Sequence, residues 1–76
     1  MFEELKQLMA SKYQLDPATI TPDATLKGLG LDSLDVVELA MTAEKEWGPR
    51  VTDDELNEAQ RLDAIVQLLE SRNARV

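Results

Sequence analysis

The first and last stretches of the chain carry apolar residues at the spacing of a helix. The apolar positions at the beginning are Phe2, Leu5, Leu8, Met9 and Tyr13. They predict a first helix of about three turns that runs from Phe2 to Tyr13. Near the other end, the same spacing predicts a last helix that frays after Arg72. Its apolar face comprises Leu62, Ile65, Val66 and Leu69.

The middle of the chain predicts a longer helix with two apolar faces. This helix should begin at Asp32 or Ser33 and end near Trp47, because a Gly-Pro pair follows and cannot continue it. When successive residues are advanced by about 100°, a wide side forms that is expected to face the core: Val36, Leu39, Ala40, Ala43 and Trp47. A narrower group on the Ser33 side, here called the second stripe, comprises Leu34, Val37 and Met41. A helix that packs against a single core would not need this second apolar group.

A long connection joins the first two predicted helices. It runs from Leu15 to Gly30 and contains two prolines and two glycines. Asp16 followed by Pro17 is typical of the N-cap and first position of a single helical turn. A loop of this length in a small domain is usually functional or packed against the core. The apolar residues available for packing are Ile20, Leu26, Leu29 and Leu31.

A short third helix should precede the last one. Thr52 and Glu55 have the spacing of a capping box, so this helix should follow Thr52 and run to about Glu58. The next segment, Ala59-Gln60-Arg61, offers no good N-cap, and the boundary between the two helices stays open. No segment has the periodicity of a strand. Residues 1–76 are therefore predicted to be a single all-α domain, a four-helix bundle with a long first loop and a short third helix.

The residue types limit the possible chemistry. The chain has no histidine and no cysteine, which excludes a Ser-His-Asp triad, a Cys-His pair and a thiolate or imidazole metal site. Ser33 lies at a helix start, after a glycine and between Asp32 and Asp35. We interpret its hydroxyl as an attachment point rather than a nucleophile. The alternative is that Ser33 merely caps the helix.

The net charge of −7 is concentrated in one part of the chain. Between Asp32 and Glu58 there are nine acidic residues and only two basic ones, Lys45 and Arg50, so this segment carries the whole net charge. Such a field repels nucleic acid and anionic lipid and favours basic protein surfaces. Acid should strengthen the fold unless an acidic side chain has a structural partner. No apolar run is long enough to span a membrane, and we expect a cytoplasmic protein without nucleic-acid or membrane partners.

Taken together, these features resemble those of an acyl carrier protein. The resemblance rests on Leu29-Gly30-Leu31-Asp32-Ser33-Leu34-Asp35, then Val37-Glu38-Leu39, with Thr52-Asp53-Asp54-Glu55 at the distance expected in that family. It implies an acyl-carrier-like bundle that is not an enzyme, and no catalytic residues are expected. It also implies that Ser33 carries covalent 4′-phosphopantetheine, which a phosphopantetheinyl transferase transfers from coenzyme A. A monomer would then present acyl thioesters to acyltransferases, ketosynthases and other enzymes with basic surfaces.

We expect partner enzymes to dock on the second stripe and the acids around it. The expected contact residues are Asp32, Leu34, Asp35, Val37, Glu38, Met41 and Glu44. The apolar members would contact the partner and the acids would steer it, while Lys45 and Arg50 would disfavour partners built for an all-acidic helix. The alternative is that the loop from Pro17 to Leu31 folds over the stripe and buries it.

The sequence leaves more than one pathway and more than one functional class open. The family often has an acid where this chain has Gly28 and bulkier aliphatic residues where it has small ones, namely Ala40, Ala43 and Ala59. A fatty-acid role and a polyketide or other specialised role therefore both fit. The competing classes are an acidic adaptor without a prosthetic group and a calcium or magnesium binder. The acids available to an ion are Asp53, Asp54, Glu55 and Glu58, but they lack calcium-loop spacing, so no metal site is predicted.

Overall fold

The structure is a computed structural model that describes residues 1–73, and these form four α-helices and one 3-10 turn. The helices are α1 (Phe2–Tyr13), α2 (Ser33–Trp47), α3 (Asp53–Ala59) and α4 (Leu62–Asn73), with the 3-10 turn at Pro17–Thr19. The predicted all-α class and the predicted bounds of α1 and α2 are confirmed. The fraying predicted after Arg72 falls mostly outside the described residues, since α4 continues to Asn73. Within residues 1–73, no helix has the length and apolar character needed to cross a membrane.

Two capping boxes fix the starts of α2 and α3. At α2, the Asp32 carboxylate accepts from the amide of Asp35 (2.9 Å), and the Asp35 carboxylate accepts from the amide of Asp32 (3.2 Å). At α3, Thr52 and Glu55 bond in the same reciprocal way, at 3.1 and 2.9 Å. The box predicted at α3 is therefore confirmed, and both boxes give partners to amides that a helix start otherwise leaves unpaired.

The start of α4 is capped by the long loop instead of by a side chain at the N-cap position. The amide of Leu62 donates to the carbonyl of Ala24 (2.9 Å), and the amide of Asp63 donates to the carbonyl of Pro22 (2.9 Å). Because these loop carbonyls satisfy the helix-start amides, the segment before α4 needs no residue suited to an N-cap. This settles the boundary that the sequence leaves open.

The long loop is part of the packed body of the protein. Asp16 caps the 3-10 turn through its carboxylate, as predicted. Ile20 and Leu26 are buried, and the amide of Leu26 donates to the carbonyl of Gln60 (3.0 Å), where α3 ends. The loop is therefore attached to the core by side chains and to the α3–α4 junction by its backbone.

The apolar faces of the helices and of the loop meet in one core. The side of α2 that was predicted to face inward is buried at Val36, Leu39, Ala40 and Ala43, whereas Trp47 is half-buried at its edge. The other side chains of this core cluster are Leu5, Met9, Ile20, Leu26, Val51, Leu56, Leu62, Ile65, Val66 and Leu69. Removing this apolar surface from water is the main force that stabilises the fold.

An ion pair connects the start of α3 to the end of α4. Both carboxylate oxygens of Glu55 accept from the guanidinium of Arg72, one of them at 2.8 Å. Arg72 also donates to the carbonyl of Arg50 (2.8 Å), in the segment before α3. The hydrogen bonds from Arg72, and after them the bond from the Thr52 amide, lower the pKa of Glu55 to about 2. Glu55 is thus an acidic side chain with a structural partner.

Replacing Glu55 with glutamine should lower the melting temperature at neutral pH by a few degrees. A carboxylate whose pKa is lowered by folding stabilises the native state above its unfolded pKa, here near 4.5. That contribution is lost as the pH falls toward about 2. Thermal melts followed by circular dichroism should therefore show a difference between wild type and Glu55→Gln that is constant above about pH 6 and shrinks in acid.

Glu58→Gln is the matched control for this measurement, because it removes the same charge from the same helix. It should leave the melting temperature unchanged or raise it slightly, since it relieves repulsion within the acidic segment. Equal melting temperatures for the two variants across the pH range would show that the contact between Glu55 and Arg72 does not stabilise the fold.

Candidate functional site at the start of the second helix

Ser33 is the first residue of α2, and its hydroxyl is not needed to hold the helix start. The N-cap is Asp32, whose carboxylate and carbonyl accept from the amides of Asp35 and Val36. The interpretation of Ser33 as a mere cap is therefore wrong. Its side chain is exposed, and its hydroxyl forms no hydrogen bond with any residue of the described range. The site thus presents a solvent-facing hydroxyl beside helix-start amides, a favourable setting for an anionic group.

A tight turn delivers the chain to this helix start. The amide of Gly28 donates to the hydroxyl of Thr25 (2.9 Å), and a Cβ added at Gly28 would lie 2.8 Å from that oxygen. Gly30 has a φ of 84°, which a residue with a side chain rarely adopts. Gly30 is therefore favoured by its backbone conformation, and Gly28 by its close approach to the Thr25 side chain. The resembled family often has an acidic residue at the position of Gly28. A glycine at this position fits a turn that is closed by the hydroxyl of Thr25.

Tyr13 connects the end of α1 to the first turn of α2. Its hydroxyl donates to the carbonyl of Asp35 (2.8 Å), a contact between residues 22 positions apart. Partial burial, with the nearby carboxylates of Asp35 and Glu38 as lesser causes, raises the pKa of Tyr13 to about 12. The sequence indicated only an apolar role for this residue. The one available signal was a tyrosine in the last turn of an amphipathic helix. A partly buried phenol usually finds a hydrogen-bond acceptor, but the sequence does not show which one.

The second stripe is open to solvent at both ends. Leu34 is 69% exposed and Met41 is 66% exposed, while Val37 between them is half-buried. The alternative that the loop from Pro17 to Leu31 covers the stripe is therefore wrong. Two large apolar side chains left in water on one helix face are the feature expected of a contact surface.

The acids predicted to surround the stripe do lie beside it, but each has a partner within the protein. Asp32 and Asp35 cap each other, as described above. The carboxylate of Glu38 lies 3.9 Å from Nζ of Lys12, and that of Glu44 lies 3.5 Å from Nε of Arg50. Lys12 belongs to α1, and no short-range pattern in the sequence around either residue predicts its contact with Glu38.

The acids considered for an ion do not converge into a metal site. Among residues 1–73, no group of three acidic side chains is placed to hold a metal ion. Glu55 already binds the guanidinium of Arg72, and Asp53, Asp54 and Glu58 lie on the same short helix. The arrangement is that of a capped helix start rather than of a ligand cage.

Comparison with known proteins identifies the class of protein to which this chain belongs. Residues 3–69 match the family described as phosphopantetheine attachment site. The chain is 35% identical over 71 residues to the acyl carrier protein of Helicobacter pylori (strain G27), covering 92% of this chain and 91% of that protein. It is 43% identical over 67 residues to that of Aster yellows witches'-broom phytoplasma (strain AYWB), covering 87% of this chain and 88% of that protein.

The fold agrees with a solved structure of the same class. The crystal structure of an acyl carrier protein from Thermotoga maritima matches with a TM-score of 0.80 and 25% identity, over 96% of this chain and 86% of that one. A domain that attaches phosphopantetheine carries that group covalently, so 4′-phosphopantetheine is the cofactor. The chain belongs to the acyl carrier protein family. The resemblance noted in the sequence is therefore confirmed.

Tyr13→Phe should test the contact that holds the first turn of α2. It removes only the hydroxyl, so we expect a loss of about 0.5–1.5 kcal/mol in the free energy of unfolding at pH 7. A phenol whose pKa is raised by folding stabilises the native state below its unfolded pKa, near 10. This contribution disappears as the pH rises toward about 12. Urea unfolding of wild type and Tyr13→Phe should therefore converge above about pH 10.

Absorbance titration provides an independent check, because Tyr13 is the only tyrosine of the chain. Its phenolate should form near pH 12 in the folded protein. A phenolate that forms near the ordinary pKa of 10 would contradict the half-buried, hydrogen-bonded position of the side chain.

Proposed function

We propose that the chain carries acyl intermediates as thioesters on a phosphopantetheine arm attached to Ser33, and presents them to biosynthetic enzymes. The observation that carries this proposal is the exposed side chain of Ser33 at the first position of α2, within the Asp32-Ser33-Leu34 sequence on which the resemblance rests. We also propose a cytoplasmic location and a monomeric state, as expected from the sequence. The proposed carrier domain extends over residues 1–76.

The geometry around Ser33 fits the arm. The amides of Ser33 and Leu34 have no helical acceptor at a helix start, and they carry the positive end of the helix dipole. A phosphodiester on the Ser33 oxygen would lie against this end. The carboxylates of Asp32 and Asp35 are close, but each already accepts a backbone amide. When bound, the arm supplies the terminal thiol that a chain without cysteine lacks.

The chain's own contribution is to position the arm rather than to catalyse. It has no histidine and no cysteine, and the hydroxyl of Ser33 has no base within hydrogen-bonding distance in the described range. A separate phosphopantetheinyl transferase would therefore have to activate the hydroxyl, and separate enzymes would load and process the acyl group. We accordingly propose that the protein is a carrier and not an enzyme.

Partner enzymes would dock on the second stripe. Leu34 and Met41 supply the exposed apolar contact next to Ser33, and Val37 joins them with its half-exposed side chain. The surrounding negative field would draw basic enzymes toward this face and mainly increase the rate of association. Acyltransferases and ketosynthases of a fatty-acid, polyketide or related pathway are the proposed partners.

The first test concerns the attachment residue. The chain has three serines, Ser11, Ser33 and Ser71, and all three are exposed. After incubation with a broad-specificity transferase, Mg²⁺ and coenzyme A, intact-mass spectrometry should show one phosphopantetheine on wild type, Ser11→Ala and Ser71→Ala, and none on Ser33→Ala. Circular dichroism should show that Ser33→Ala remains folded. A modified Ser33→Ala protein would refute the assignment, and an unmodified wild type would favour the adaptor without a prosthetic group.

The second test concerns the docking surface. Met41→Asp places a charge on an exposed position, so the fold should tolerate it, while kcat/KM for modification should fall at least about tenfold because the apolar contact is lost. Gln67→Asp adds the same charge to an exposed position of α4 and should leave kcat/KM close to that of wild type. Equal rates for the two variants would show that partners do not use the second stripe.

A further inference from the structure

The two glutamates beside the second stripe are each held by a cation from outside α2. Lys12, at the end of α1, places Nζ 3.9 Å from the carboxylate of Glu38. Arg50, in the segment after α2, places Nε 3.5 Å from the carboxylate of Glu44. Glu38 follows Val37 directly, and Glu44 lies one turn beyond Met41. The apolar contact residues therefore lie between two internally paired acids.

We propose that Lys12 and Arg50 determine which partners this surface accepts, by neutralising Glu38 and Glu44 from within the protein. The second stripe and its flanking glutamates then fit a partner whose binding surface is apolar and carries few cations. They disfavour a partner whose binding surface is strongly basic. This inference rests on the docking role proposed above for the second stripe.

The local neutralisation acts at a different distance from the overall field. Within about a Debye length, which is about 8–10 Å at ordinary ionic strength, but before contact, an approaching partner responds to the net negative charge of the segment from Asp32 to Glu58. At contact, a cation of the partner meets a carboxylate that already has an ammonium or guanidinium beside it. The overall field therefore still steers the approach of basic proteins. The final docking step, however, gains less from a cation in the partner's binding surface.

The two internal cations are held to different degrees. The side chain of Lys12 is only 28% exposed, and its Nζ lies 5.8 Å from the centre of the Tyr13 ring. Tyr13 in turn bonds the first turn of α2 through the carbonyl of Asp35. The side chain of Arg50 is 85% exposed and has no such support. Lys12 is therefore the less solvent-exposed of the two side chains, while its contact with the carboxylate, at 3.9 Å, is longer than the 3.5 Å contact of Arg50.

The test compares modification rates of variants that each lose one positive charge at a different position. Lys12→Met and Arg50→Gln remove the proposed counter-ions. Lys6→Met is the matched control, because it removes the same charge from a position about 240° away around α1. The measurement is kcat/KM for phosphopantetheine transfer by a transferase with a basic carrier-binding surface. At about 50 mM NaCl, Lys12→Met and Arg50→Gln should exceed Lys6→Met about two- to fivefold, and the gain should vanish at about 0.5 M NaCl.

A double-mutant cycle shows whether the gain comes from the exposed glutamate. In a Glu38→Gln background, Lys12→Met should give no gain, because no carboxylate is left to uncover. Rates equal to those of Lys6→Met, or a gain that persists in the Glu38→Gln background or at high salt, would overturn the proposal. Lys12→Gln repeats the test with a polar replacement, and circular dichroism checks that each variant is folded. Failure of the proposed function is distinguishable, since wild type itself would then remain unmodified.

Discussion

The loop between α1 and α2 must find partners for its backbone groups without forming an α-helix or a sheet, and several of these partners lie at the junction of α3 and α4. The amides of Leu62 and Asp63 donate to loop carbonyls, and the amide of Leu26 donates back to Gln60. These bonds fix the loop and cap α4 at the same time. Because the loop is fixed there, its final turn enters α2 with a set direction, and Ser33 is positioned by contacts that begin near the other end of the sequence.

A second constraint comes from α1, which does more than fill the core. Its inner face buries Leu5 and Met9, while its last turn reaches the surface beside α2. There Tyr13 bonds the backbone of α2 and Lys12 approaches the Glu38 carboxylate. The packing of α1 thus sets both the position of the serine-bearing turn and the local charge beside the second stripe. An acidic segment with a concentrated negative charge is in this way supplied with cations from other parts of the chain.

Local patterns in the sequence predicted much of this structure, and long-range contacts account for what they missed. The helix bounds of α1 and α2, the cap at Asp16 and the box at Thr52 depend on residues a few positions apart, so periodicity and spacing were enough to find them. The start of α4 could not be found in this way, because its cap is a pair of carbonyls from the loop. The partners of Glu38 and of Tyr13 were missed for the same reason. At the site, the motif indicated Ser33 and the stripe, but not which acids were already paired.

The capping box at Asp32 also separates the folding of α2 from anything that happens to its neighbouring hydroxyl. Since Asp32 and Asp35 hold the helix start by themselves, α2 does not use Ser33 to begin. Attachment of the proposed group at Ser33 can therefore follow folding as an independent event, and the helix start would not need to be rebuilt. A scaffold of this kind can be used for repeated cycles of loading and release without a change in its own architecture.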